Sequence, residues 1–107
     1  MGLDVVVREY SGETVERLEG PADVAALCLL AAREPVAYPL LAGVDPVDDT
    51  YFNRRQAVRL KAELKDVAER CGDGGVSNAA AEILRLLALL EPAPGRPTHR
   101  LLIFVGD

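Results

Sequence analysis

Between Asp45 and Arg55 the chain gathers its densest polar chemistry. Here lie the carboxylates of Asp45, Asp48 and Asp49, the phenol of Tyr51, the amide of Asn53 and the adjacent guanidiniums of Arg54 and Arg55. Three chemistries are open to such a set. Clustered carboxylates can hold a hard cation, but the spacing, the turn glycine and the closing glutamate of an EF-hand loop are missing. The acids can instead pair with Arg54, Arg55 and Arg59 and pin the loop to the helix after it. Or the mixed surface can meet another protein, since tyrosine and arginine are frequent interface anchors. Helix capping and arginine pairing account for the acids more simply than a metal does, so no metal ligand is expected here.

The remaining reactive groups do not assemble into a catalyst on paper. Covalent or acid–base catalysis needs a nucleophile, a base and a group that orients the base. His99 is the single histidine and follows a proline-rich stretch, where a surface or strand-flanking role is expected. Ser11 sits in a turn context and Ser77 in a helix-cap context. Cys28 and Cys71 both fall on apolar helix faces and read as buried free thiols, which suits a reducing cytosol. The glycines of Cys71-Gly-Asp-Gly-Gly-Val-Ser77 suggest a phosphate cradle only superficially. The Lys and Ser/Thr of a P-loop are absent and no strand precedes them, so Gly72–Gly75 reads as a flexible connection. The sequence thus implies no catalytic residue, no cofactor and no metal, and the chain reads as a non-enzyme.

The elements that position the polar segment can be laid out from periodicity. Ala57, Leu60, Leu64, Val67 and Cys71 recur at helical spacing, with Val58, Ala62 and Ala68 widening the stripe. The outer face carries the i,i+4 pairs Arg59–Glu63, Lys65–Glu69 and Asp66–Arg70 and one repulsive pair, Lys61–Lys65, each worth a few tenths of a kcal/mol. Asp49 or Asn53 is the expected N-cap. If it is Asn53, Gln56 stands at the third helical position and makes a capping box, with Phe52 stapled onto Ala57. Gly72 and Gly74 are expected to end this helix.

Upstream, Leu3–Tyr10 reads as a strand and Glu13–Glu19 as a second strand completing a hairpin across Ser11-Gly12, with a single helical turn as the rival. Gly20-Pro21 opens a helix with Val24, Leu27, Cys28 and Ala31 facing inward, ending near Glu34 before Pro35. From Pro35 to Asp48 the chain is expected to be irregular, with Tyr38, Leu40, Leu41 and Val44 packing it onto the core. Downstream, Ser77 or Asn78 caps a third helix that is apolar almost all round. Such a helix is central or covered by a second subunit, so a homodimer face using Leu86, Leu89 and Leu90 is expected as an option. Pro92, Pro94 and Pro97 form a stiff linker, and Leu101–Val105 is a central strand expected to pair with the N-terminal one. The expected architecture is a single α+β domain over residues 1–107. It has a small sheet of two to four strands (the N-terminal strand or hairpin plus the C-terminal strand) packed with three helices.

Composition sets outer limits. With 107 residues, half of them apolar, the chain can form a core without disulfides or metal. Its net charge of −5 is unlike the basic footprint of a nucleic-acid binder. Residues 54–70 hold six basic and three acidic side chains against six and fourteen in the remainder, so an acidic body carries one basic helix. Asp4 and Arg8 interrupt the N-terminal apolar run, and no segment is long and apolar enough to span a bilayer, so neither a leader nor a membrane association is expected. A cytoplasmic location is the corresponding expectation.

Two segments together resemble a loosely characterised group of small bacterial, mainly actinobacterial, proteins. The shared residues are Gly2, Leu3 and Asp4, then Asp49, Thr50, Phe52, Asn53 and Gln56, then His99, Leu102, Phe104, Gly106 and Asp107. The resemblance implies an immunity-like role, in which a small acidic protein binds a partner such as a secreted toxin. It also raises the expectation that Asn53, Gln56, His99 and Asp107 converge, as either a structural network or a pocket. The expected function is therefore a protein-binding, immunity-like or regulatory domain that occludes its partner through Asp45, Asp48, Asp49, Tyr51, Asn53, Arg54 and Arg55. A homo-oligomeric structural protein is the alternative, and a small-ligand-binding enzyme domain a more distant one.

Overall fold

The apolar runs at the two ends of the chain find each other. A computed structural model describes residues 3–18, 22–95 and 99–106. In it, β1 (Asp4–Glu9) and β4 (Arg100–Val105) are the two inner strands of a four-stranded sheet of order β2-β1-β4-β3. Every pairing is antiparallel. Val5 stands opposite Phe104 and Val7 opposite Leu102, and all four side chains join the core beneath the helices. Val6 and Ile103, paired with each other, are buried as well, at 0% and 1% exposure, although alternation turns them to the other face. Burial on both faces is the reason these strands are written as unbroken apolar runs rather than alternating ones.

The expected hairpin forms. β2 (Thr14–Leu18) pairs with β1, with a break in register between Val7 and Arg8. The fourth strand, β3 (Thr50–Phe52), lies where a turn and a helix start were expected, and it pairs with the outer side of β4. Three residues are too few to show a period, and tertiary pairing supplies what local pattern cannot. Phe52 opposite Leu102 meets Phe104 edge-on, with ring centroids 5.7 Å apart at 87°.

Three longer helices cover one face of this sheet: α1 (Ala22–Ala32), α3 (Arg54–Cys71) and α4 (Gly74–Leu87). The short helix α2 (Pro39–Ala42) interrupts the segment expected to be irregular. Tyr38, Leu41 and Val44 nevertheless pack into the core as expected, with Leu40 partly buried. The α1 helix ends at Ala32, and its last turn tightens through Arg33 N–H to Leu30 and Glu34 N–H to Ala31 bonds ahead of Pro35. Its expected opening at Gly20-Pro21 lies outside the described residues, as does Pro97 of the linker.

Helices α3 and α4 are joined by a two-residue corner, not a flexible glycine run. Gly72 is the left-handed cap of α3, at φ +69°, a conformation glycine adopts without penalty. Asp73 then caps α4, accepting the N–H groups of Gly75 and Val76 at 2.8 and 3.1 Å, so Gly74 and Gly75 are helical. Ser77 and Asn78, expected as caps, sit inside the helix.

The nearly all-apolar face of α4 is explained within one chain. Ile83, Leu86, Leu87 and Leu90 are at most 2% exposed, packed between the sheet and the other helices. Leu90 belongs to a short 3-10 turn, Ala88–Leu90, that extends α4. Conversely, Val58, expected to widen the buried stripe of α3, is 77% exposed, and Ala62 is exposed too.

Candidate functional site

The segment Asp45–Arg55 is built from a turn, a strand and a capped helix start in direct succession. The Asp45 carboxylate accepts the N–H groups of Val47 and Asp48 at 2.8 and 3.3 Å, and its own N–H donates to Thr50 Oγ1 at 2.9 Å. Asp48 in turn accepts the N–H of Asp49 at 2.8 Å. Aspartates form such turns because a short carboxylate reaches backbone donors one to three residues on. The turn crosses the end of β4 so closely that a β-carbon on Gly106 would collide with the backbone of Val47 and Asp48. Gly106 is therefore required by close approach, not by φ.

At the helix start, Asn53 is the N-cap. Its side chain accepts the Gln56 N–H at 3.0 Å, while the Gln56 side chain accepts the Asn53 N–H at 2.8 Å, completing the expected capping box. Each side-chain oxygen is thus used on the other residue's backbone N–H. No hydrogen bond joins either to His99, whose carbonyl instead accepts the Tyr10 N–H at 2.9 Å. Asp107, the fourth member of the expected cluster, lies outside the described residues. Among the described residues the cluster is thus a local cap and not a pocket.

The surface left available on this segment is narrower than expected. Tyr51 lies opposite Ile103 on edge strand β3 and is 52% exposed. Arg54 and Arg55 are exposed and, among the described residues, pair with no acid. The expected pinning of Asp45, Asp48 and Asp49 to Arg54, Arg55 and Arg59 does not form. The turn draws the first two carboxylates onto its own N–H groups, and Arg59 bonds Glu63 at 3.2 Å. The result is an acidic turn and a basic helix start kept apart by a half-exposed tyrosine. Among the described residues no three His, Cys, Asp or Glu side chains are arranged to hold a metal ion.

Two further polar sites lie outside the segment Asp45–Arg55. Glu63, expected on the solvent face, is 3% exposed. It accepts the N–H groups of Leu40 and Leu41 at 3.2 and 3.0 Å, so α3 caps the start of α2. The signal for it is spacing: three residues after Leu60 and four before Val67 place it on the buried stripe. The second site joins Tyr38, Asp66, Arg70 and Glu34 at the edge of a cleft of about 220 Å³ that Cys71 also lines. The Tyr38 hydroxyl donates to Asp66 and accepts from Arg70 at 3.0 Å. Burial, and then the bond to Asp66, push the Tyr38 phenol up, while Arg70 opposes. The same bond holds the Asp66 carboxyl below the ordinary aspartate range; partial burial opposes this and Arg70 adds to it.

Both thiols are free; Cys28 is buried, and Cys71 is partly buried beside Ser77 Oγ at 3.8 Å. Burial raises the Cys28 thiol to about 12, which makes it a poor nucleophile. The homodimer face fails at two of its three residues, because Leu86 and Leu90 are inside the core and only Leu89 is partly exposed. No helix among the described residues is long and apolar enough to cross a membrane. Compared with known proteins, the chain matches no family model, no curated protein sequence and no solved structure.

Proposed function

We propose that the chain is a cytoplasmic protein-binding domain, immunity-like or regulatory, that neutralises a protein partner by covering a site on it with the segment Asp45–Arg55. One observation carries this reading: Tyr51, Arg54 and Arg55 stand exposed and unpaired on a rigid support, with Asp48 and Asp49 beside them. A tyrosine can be covered with little loss of conformational freedom, and an unpaired arginine keeps its whole donor fork for a carboxylate or carbonyl on the partner. The sheet, the Asx turn and the capping box fix the backbone of all three before binding, which lowers the ordering cost. The resemblance to small actinobacterial proteins points in the same direction.

The test begins with the tagged chain, used to recover a partner from lysate of its own source, identified by mass spectrometry. The purified pair is then titrated by calorimetry. Tyr51→Ala and the double substitution Arg54→Ala with Arg55→Ala should each weaken binding by roughly 30-fold or more, the scale of interface anchors. Charge reversal at Asp48 and Asp49 should weaken it further and flatten or invert its salt dependence. Affinity unchanged in all three variants would remove this surface from the function.

A further inference from the structure

Helix α1 is the most apolar of the three longer helices, with Asp23 its only charged residue. Val24, Leu27 and Ala31 face the core. A second stripe, Ala25, Cys28, Leu29 and Ala32, follows the same 3–4 spacing on the next face round and lines a cleft of about 360 Å³. Leu3, Ala42, Val44 and Pro46 complete its lining. Leu29 is 67% exposed there and Val47, beside Pro46, is 68% exposed, so apolar surface continues out of the cleft onto its rim. A helix that is apolar all round is normally covered on all sides, and among the described residues nothing covers Leu29 of α1.

We infer that this cleft receives the apolar anchors of a basic amphipathic helix belonging to the protein partner. The inference rests on the proposed function and names the chemistry of the partner. Charge decides the occupant. Pro46, which forms one wall, lies between Asp45 and the Val47-Asp48-Asp49 run, so the rim on that side is acidic while the lining is apolar. The chain as a whole carries −5. A helix with apolar residues at i, i+3/i+4 and i+7 and lysine or arginine on its flanks satisfies both at once. A small ligand is the poorer fit, because such sites carry a few placed polar groups to orient it, and among the described lining residues the Cys28 thiol is the one polar side chain. An anionic bilayer is repelled by the same acids. The cleft and the polar segment share one loop, so a single partner can engage both.

The probe is a fluorescein-labelled 14-residue helical peptide of leucine and lysine, compared by anisotropy with its glutamate counterpart of identical apolar pattern. The lysine peptide should bind at micromolar concentration and the glutamate peptide at least tenfold more weakly. Ala32→Trp fills the cleft from an exposed position and supplies the chain's only tryptophan as a fluorescence report of folding. It should weaken the lysine peptide tenfold or more, as should Leu29→Lys, an exposed substitution with no core to disturb. Equal binding of both peptides, or unchanged binding in both variants, overturns the inference. So does binding of decanoate or anionic phosphatidylserine vesicles without the peptide, and so does a concentration-dependent dimer by sedimentation that Leu29→Lys dissolves. If cleft variants leave the recovered partner's affinity intact while Arg54 and Arg55 substitutions abolish it, the cleft is wrong and the proposed function stands. The reverse pattern rejects the polar segment and keeps the cleft.

Discussion

Replacing Glu63 should cost more than any surface charge in this chain, and the reason lies in what its carboxylate holds. The α2 helix is one turn long, begins with a proline and receives no side-chain cap from Tyr38, the residue before it. Its first two N–H groups, those of Leu40 and Leu41, donate to Glu63 instead. Leu41 is fully buried, so water cannot replace the carboxylate. Each hydrogen bond to a charged acceptor contributes about 1.5–3 kcal/mol, and an abandoned buried donor costs about 1–3 kcal/mol. Glu63→Ala is therefore expected to destabilise the fold by about 3–4 kcal/mol. Glu63→Gln keeps one acceptor but turns an NH₂ group toward a donor, for about 1–2 kcal/mol. Arg59 is 56% exposed, so Arg59→Gln should cost no more than about 1 kcal/mol. Urea denaturation followed by circular dichroism measures all three. Hydrogen exchange should show the Leu40 and Leu41 amides losing protection first. A Glu63→Ala cost under about 0.5 kcal/mol, or an Arg59→Gln cost equal to it, would refute the capping argument in favour of a simple ion pair.

Three other perturbations test separate parts of the fold. Gly106→Ala would drive its β-carbon into the backbone of Val47 and Asp48, so it should cost about 1–3 kcal/mol and shift the amide resonances of residues 45–49; unchanged spectra would contradict the close approach. Asp66 is held below the ordinary aspartate range, so its contribution to stability is present above that range and is lost as pH falls through the depressed value. The gap in Tm between wild type and Asp66→Asn should thus be open near pH 6 and close below about pH 4; a gap constant with pH would place the effect in packing. Leu86→Ala removes a fully buried side chain and should cost about 3 kcal/mol without changing the sedimentation coefficient, whereas a loss of dimer would restore the interface reading of that residue.

The elements with long periods were legible. The valine-rich N-terminus, the apolar C-terminus and the α3 stripe each carry enough residues to fix a period, and the hairpin, the central pairing of β1 with β4 and the Asn53 capping box are consistent with them. The features that escaped are those decided by a partner distant in sequence. Thr50–Phe52 is a strand because β4 offers an unpaired side. Glu63 is buried because the N–H groups of α2 arrive from more than twenty residues away. Asp73 outcompetes Ser77 and Asn78 as a cap because starting the helix earlier places Val76, 2% exposed, in the core. The candidate site divides the same way. Its residue types were visible, but the turn and the cap consume Asp45 and Asn53, leaving Tyr51, Arg54 and Arg55.

Helices α1 and α4 show how an apolar composition should be weighed. The leucine-rich run of α4 suggests a second subunit, yet its large side chains meet the sheet on one side and α1 and α3 on the other. The small residues of α1 draw less attention because alanine signals little by itself. The small side chains Ala25, Cys28 and Ala32 leave a hollow on that face, which Leu3, Leu29 and Val44 line without closing. Part of the exposed apolar surface of this fold, Leu29 and Val47, therefore lies on α1 and on the acidic turn. The two features then cease to be independent. On the proposed reading a partner drawn by Asp48 and Asp49 would arrive over the cleft, and one anchored in the cleft would bring its flanking charges to the turn, so loss of either should weaken the other's contribution. A double-mutant cycle between Ala32→Trp and Asp49→Asn measures that dependence directly: a coupling of about 0.5 kcal/mol or more is expected for one continuous interface, and strict additivity would mean two separate surfaces.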